Sequence, residues 1–238
     1  MGRYGYPKQA SAAEKKAKAT KALEKLRKKN PDIEPVIIEG RALVKTWWGK
    51  AWNQNLESYA DYSNRIARGR SYVKNNAVLD LKIGEGVVVA LVQGSGSKQY
   101  SVRIEIDTLS DEKWRQVTEI CNNRIENLEQ LIEGKFPEEL EVLFKERKYG
   151  LFPSPSEIRF GCSCPDWAVM CKHVAAVLYG VGARLDHDPM LFFTLRDIDG
   201  KELVRKSMES KLDNMLKNAG NKSDRQIDIR EAEEIFDL

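Results

Sequence analysis

The sequence predicts an α+β protein, in which an antiparallel sheet packed with helices is followed by a small strand-strand-helix finger. Three observations predict this. Short β-rich runs succeed one another between turn signals from residue 77 to 106. Stretches with apolar residues at 3–4 residue spacing flank those runs on both sides. Three of the four cysteines lie within ten residues, beside a histidine.

Composition sets the frame. A hydrophobic fraction of 42% with 32% charged residues describes a soluble globular chain carrying solvated extensions. Its 238 residues suffice for one domain or two small ones. No stretch approaches the ~20 apolar residues that span a bilayer. Met1-Gly2-Arg3-Tyr4 runs into lysines with no apolar signal core. These features point to the cytoplasm and away from a membrane partner. Residues 1–50 hold 13 Lys or Arg against 5 Asp or Glu, whereas residues 197–238 hold 8 against 11. A basic head attracts DNA or RNA by displacing phosphate counterions, with Lys15 and Lys16 as candidate contacts. A solvated tail that only aids solubility fits the same lysines. The expected organisation is a basic flexible extension (1–36), an α+β core (37–150), a finger with its packing segment (151–196) and a charged extension (197–238).

The elements follow in order. Ser11 to Lys29 is rich in Ala, Lys, Glu and Leu, a charged helix by propensity. It lacks a wide apolar stripe, so it is expected to be disordered or loosely helical until it meets a partner. From Thr46, a capping residue, a helix runs to about Tyr62 with Trp48, Ala51, Trp52, Asn55, Leu56 and Tyr59 on one, mostly apolar, face. Trp48 and Trp52 are core residues in this reading, and Trp47, off the stripe, is the exposed one. Ser71–Val73, Ala77–Ile83, Val87–Val92 and Tyr100–Ile106 read as strands separated by Asn75-Asn76, Gly84-Glu85-Gly86 and Gly94–Ser97. Strict alternation in Tyr100–Ile106 predicts one buried face and one wet face. Ser110 starts a helix to about Glu133 with Trp114, Val117, Ile120, Cys121, Ile125, Leu128 and Leu131 as its stripe. Cys121 is therefore a packing residue. Gly134 and Pro137 end that helix, a further short one fits Glu138–Tyr149, and Pro153 and Pro155 mark an extended turn.

The chemistry concentrates at Cys162-Ser-Cys164-Pro-Asp-Trp167 and Cys171-Lys-His173-Val-Ala-Ala-Val177. Clustered cysteines without a secretory signal indicate metal rather than disulfides. Three thiolates and one imidazole form the tetrahedral set that structural zinc prefers, with no position left for a reactive water. Residues two apart on a strand share a side, so Cys162 and Cys164 can face one ion. Cys171 and His173 would lie about 200° apart on a regular helix, so Cys171 belongs at or just before its first turn. Asp166 is expected to cap that helix, and Trp167 to join Val174, Val177 and Leu178 on its apolar face. Zinc binding in such sites is worth ~10–16 kcal/mol, and a module this short has too little apolar surface to fold alone.

At the four ligands, at Pro165-Asp166 and in the following helix, this segment resembles the SWIM zinc finger. Further segments resemble the stand-alone SWIM proteins of bacteria and archaea. They are Thr46–Trp52, Gly69–Tyr72, Val92–Ser95 with Tyr100, and Asp188–Arg196, so that the resemblance covers roughly residues 40–200. It implies DNA binding or protein contacts through the finger, and an accessory role beside a Swi/Snf-type ATPase. The lysine-rich head lies outside it.

Other candidates carry two readings each. Arg65, Arg68 and Arg70 beside Gly69 read as a loop that grips phosphates or is simply solvated. Lys172 contacts a phosphate or offsets the net −1 charge of three thiolates around Zn²⁺. Gly94-Ser95-Gly96 lacks the Gly-Lys-Ser/Thr ending of a phosphate loop. His187, flanked by Asp186 and Asp188, has no marked nucleophile nearby, so no enzyme is expected. Two readings of function remain. One is a zinc-dependent nucleic-acid-binding accessory protein. The other is a protein-interaction adaptor, for which Ile227, Ile229, Ala232, Ile235 and Phe236 could form a groove-binding helix.

Overall fold

In the computed structural model, residues 10–58, 63–124, 141, 144 and 150–218 are described. Ser11 opens α1 (Ala12–Arg27) with a reciprocal capping box, its side chain receiving the Glu14 amide while Glu14 receives the amide of Ser11. Ala19 and Leu23 are buried against Leu79, with Ala22, Leu26 and Ile33 around them. The helix within the basic head is thus docked here, contrary to the expectation of a disordered or loose one. The reason is economy: two apolar positions one turn apart suffice to seat a helix whose other sides are charged.

Thr46 caps α2 (Trp47–Glu57), as its position suggests. Trp52 is fully buried and Trp48 half-buried. Trp47 departs from its expected exposure, since it packs edge-on against Trp48 and Phe144, with ring centroids 5.6 Å apart in both pairs. Ser63–Lys74 forms α3, not a loop and a strand. Ile66, Gly69 and Val73 make its stripe, which reads poorly in sequence because its centre is a glycine.

Then comes the meander: β1 (Val78–Gly84), β2 (Val87–Gln93) and β3 (Gln99–Ile106). The β1–β2 turn is Glu85-Gly86, with Gly86 at φ 64°. The buried Gln93 side chain organises the next turn, donating to the carbonyls of Gly94, Gly96 and Lys98. Asp111–Arg124 forms α4. The proposed extension of this helix beyond residue 124, the burial of Cys121 and the end signals at Gly134 and Pro137 lie outside the described residues. Glu141 and Phe144 are helical, inside the short helix expected there.

After a 3₁₀ turn (Pro155–Glu157), β4 (Ile158–Cys162) adds to β3 and completes the sheet in the order β1-β2-β3-β4, all antiparallel. Then follow α5 (Lys172–His187), α6 (Leu191–Leu195) and α7 (Gly200–Asn218). The finger's strand is therefore an edge strand of the main sheet, and its helix is the hub of the protein. Twelve of the sixteen residues of α5 are buried. It touches α2, α3, α6 and all four strands. Small residues allow this close approach: a Cβ on Gly180 would stand 2.8 Å from Leu81 Cδ1, and one on Gly182 would stand 2.6 Å from Asn53 Oδ1. The tryptophans of α2 fasten the hub, Trp52 Nε1 donating to Leu178 O (3.0 Å) and Trp48 Nε1 to Leu185 O (2.8 Å). One hydrophobic cluster runs from Val36 to Leu195. Among the described residues, no helix is long and apolar enough to cross a membrane.

Candidate metal centre

Two elements deliver the donors. Cys162 ends β4, opposite Val102 of β3, with its side chain on the inner face. Cys164 follows two residues later, after Ser163 has anchored the chain: Ser163 N donates to Ser101 O and Ser163 Oγ accepts from Ser101 N, both at 3.0 Å. Cys171 is the N-cap of α5 in extended geometry (φ −72°, ψ 167°), and His173 stands in the first turn. The predicted exit of Cys171 from the regular helix is thus the geometry found. The three Sγ atoms and a histidine nitrogen all lie within 4.8 Å of one another. His173 Nδ1 is 3.9 Å from both Cys162 Sγ and Cys171 Sγ. A tetrahedral ion with ~2.3 Å bonds to sulfur needs ligand atoms roughly 3.5–3.8 Å apart, so a small contraction closes the site.

The electrostatics suit a cation. Cys171 is drawn down to about 3 by the thiol of Cys162, against its burial, helped by His173 and by the Val174 amide. Cys162 is pushed up by that same partner and by burial, although it receives the Cys164 amide. Burial raises Cys164, which receives the Asp166 amide. Three thiolates this close together would repel one another, and a divalent ion would offset that charge.

His173 Nε2 points away from the sulfurs and is buried, with no hydrogen-bond partner among the described residues. Aromatic rings hold the imidazole instead. Tyr100 lies 4.5 Å away at a 31° tilt, and Tyr72 of α3 meets it edge-on at 5.3 Å. These rings take the orienting place that a hydrogen-bonded carboxylate or carbonyl fills at many metal-bound histidines. The sequence reading missed this function of the tyrosines, which only the fold brings beside residue 173.

The loop between the ligand pairs differs from expectation in two ways. Asp166 does not cap α5; it pairs with Arg65 (3.1 Å) and receives the Ala168 amide (3.4 Å). Burial would raise the Asp166 carboxyl, but Arg65, Ala168 and Lys172 together hold it below its usual range. Trp167 leaves the apolar face and is 79% exposed, as Val169 is to 70%. The helix starts six residues beyond Asp166, so the Trp167 side chain has no helical face to share.

The arginines predicted as a phosphate loop ride on α3 and separate in function. Arg65 is half-buried on Asp166. Arg70 pairs with Glu57 and donates to Tyr179 Oη (3.2 Å), while Tyr179 Oη donates to Glu57 at 2.6 Å. Gly69 is the point where α3 crosses α5, at Ala175. Arg68 is exposed, one turn from Arg65, and its charge reaches Tyr72. Lys15 and Lys16 are exposed on α1, and neighbouring Lys18 donates to Ser95 O (2.7 Å) in the β2–β3 turn. Asp186 accepts the amides of Lys45 and Thr46 and the Thr46 hydroxyl at the start of α2.

Comparison with known proteins adds one relative. The chain is 34% identical over 183 residues to "Uncharacterized protein Rv2102" of Mycobacterium tuberculosis. That match takes in 73% of this chain, which spans 66% of the relative's length. No family profile and no solved structure matches the chain.

A second polar feature escaped the sequence reading. Arg196, fully buried after α6, pairs with Glu157 (2.8 Å), which also holds Lys113 (3.2 Å) and the Ser154 amide (2.8 Å). This lock ties the chain entering β4 to the segment that follows α6. The tail residues Ile227, Ile229, Ala232, Ile235 and Phe236 lie outside the described residues.

Proposed function

We propose that Cys162, Cys164, Cys171 and His173 bind one structural zinc ion, and that the chain is a SWIM-type accessory protein that binds nucleic acid around that centre. The observation that carries the proposal is the convergence of three sulfurs and one imidazole nitrogen within 4.8 Å. Softness and geometry select zinc: S₃N tetrahedral sets favour it over the oxygen-preferring Mg²⁺ and Ca²⁺. All four positions are taken by protein donors, so the ion holds structure and supplies no reactive water.

The phosphate contacts in this reading are Arg68 and Lys172 near the metal, with Lys15 and Lys16 on α1. Arg65 and Arg70 serve packing instead, each already engaged by a carboxylate. Assistance to a Swi/Snf-type ATPase in the cytoplasm completes the proposal by resemblance. The adaptor reading has one observation in its favour: Met208, Leu212, Met215 and Leu216 lie exposed along one side of α7.

Purified, reduced protein should contain one zinc per chain by elemental analysis. Binding to a labelled DNA or RNA should weaken as salt rises, and Lys15→Glu with Lys16→Glu should lower the salt slope by about two. Protein without stoichiometric zinc would refute the metal assignment. Absence of binding at low salt would leave the adaptor reading in its place.

A further inference from the structure

Five observations meet at the loop between the ligand pairs. Trp167 is 79% exposed and Val169 is 70% exposed, two large apolar side chains displayed close together on one loop. The loop runs between the candidate ligands Cys164 and Cys171, and Asp166 within it pairs with Arg65 at 3.1 Å. The Asp166 charge is answered by Arg65, so the loop presents no free acid beside the indole. Lys172, half-buried and close enough to act on Asp166, brings a cation to the same surface. Arg68 is exposed on α3 one helical turn from Arg65, which itself pairs with the loop's Asp166.

We infer that Trp167 is a stacking platform for a base of a single-stranded nucleic acid whose phosphates lie along Lys172 and Arg68. The inference rests on the nucleic-acid reading above and gives it a strand class. A solvent-facing indole offers a flat π surface for a base to meet. Only an unpaired strand has base faces free to meet it, because a duplex buries those faces in its own stack. Lys172 next to the loop and the exposed Arg68 on α3 fit a backbone tracking past the ring, and they disfavour a basic partner surface.

The test uses the full-length, metal-loaded protein with a labelled oligothymidylate and a duplex of equal length, read by fluorescence anisotropy. The single strand should bind more tightly than the duplex. Trp167→Ala should weaken single-strand binding roughly 5- to 150-fold, the worth of one stacked base, with zinc content unchanged, while Trp167→Phe keeps most of the affinity. Equal affinity of Trp167→Ala and the wild type for the single strand would overturn the stacking inference and leave the nucleic-acid reading standing. Preference for the duplex would overturn the strand class. Binding to neither probe at low salt would remove both the inference and the reading beneath it.

Discussion

Replacing Gly69 with alanine tests whether α3 and α5 meet as closely as described. A Cβ at this position would stand 2.5 Å from Ala175 Cβ and 3.0 Å from both Ala175 C and Ala176 N. Carbon atoms pack at about 3.5–4.0 Å, so the helices must part by about 1 Å. Two of the three obstructing atoms are backbone, and α5 cannot retreat, because its other side is already against Leu81 at Gly180. Overpacking of this kind costs about 1–3 kcal/mol, and a rigid obstacle belongs at the upper end. Helix propensity returns up to ~1 kcal/mol for Gly→Ala. The net destabilisation is then about 2 kcal/mol, or roughly 4–8 °C in Tm for a chain of this size. Circular dichroism melts of metal-loaded protein would measure it. Gly96→Ala is the control: nothing lies within 4 Å of that position, and its effect should stay within about 0.5 kcal/mol. A Gly69→Ala protein that melts at or above the wild-type temperature would show that propensity outweighs the clash. The tight crossing would then be wrong.

Tyr100→Ala removes the ring lying on His173 and should weaken metal affinity about 10-fold or more, measured by competition with a chromophoric chelator. The Glu157 carboxyl, although burial acts to raise it, is held at about 2 by Arg196 and Ser154. Because the folded value lies below the ordinary 4.5, its stabilisation is fully present above that pH and is lost as pH falls from 4.5 toward 2. Urea melts across that range should show a loss on the order of 2–3 kcal/mol, and the gap between wild type and Glu157→Gln should shrink as the pH drops. Leu23→Ser should undock α1 while sparing the rest, seen as rapid proteolysis within residues 12–27 with an unchanged global melt.

How much of this was legible in the sequence depends on how locally each signal is encoded. The meander was readable because β-rich runs, the alternation in Tyr100–Ile106 and glycine turns all act over a few residues. The ligand set was readable because its spacing alone excludes one regular helix for Cys171 and His173. The α3 helix was not, since Gly69 looks like a breaker until α5 is seen to need its missing side chain. The seat of α1 was hidden for a related reason: Ala19 matters only because Leu79 waits opposite it. Tyr72, Tyr100 and the Arg196–Glu157 lock are pairings across 39 to 101 residues, and no local pattern announces them. Trp167 was misplaced because an aromatic near an apolar helix reads as core. Its true position follows from where the helix begins, at Lys172.

The sequence suggests a knuckle that cannot fold without its ion, and the fold changes what the ion is needed for. A metal held by the four donors would join the end of the sheet's edge strand to the first turn of the central helix, across residues 163–171, which hold no helix or strand. On either side the structure has other support. β4 is paired with β3 over five residues, and α5 buries twelve of its sixteen residues against the sheet, α2 and α3. Chelation should therefore release the loop, and with it the fixed position of Trp167, without unfolding the domain. In hydrogen exchange, the amides of Cys164, Asp166 and Val174 that point at sulfur should lose protection on metal removal, while those of Val177 to Leu185 keep theirs. Collapse of protection throughout α5 would mean that the ion, and not the packing of the helix, holds the hub in place.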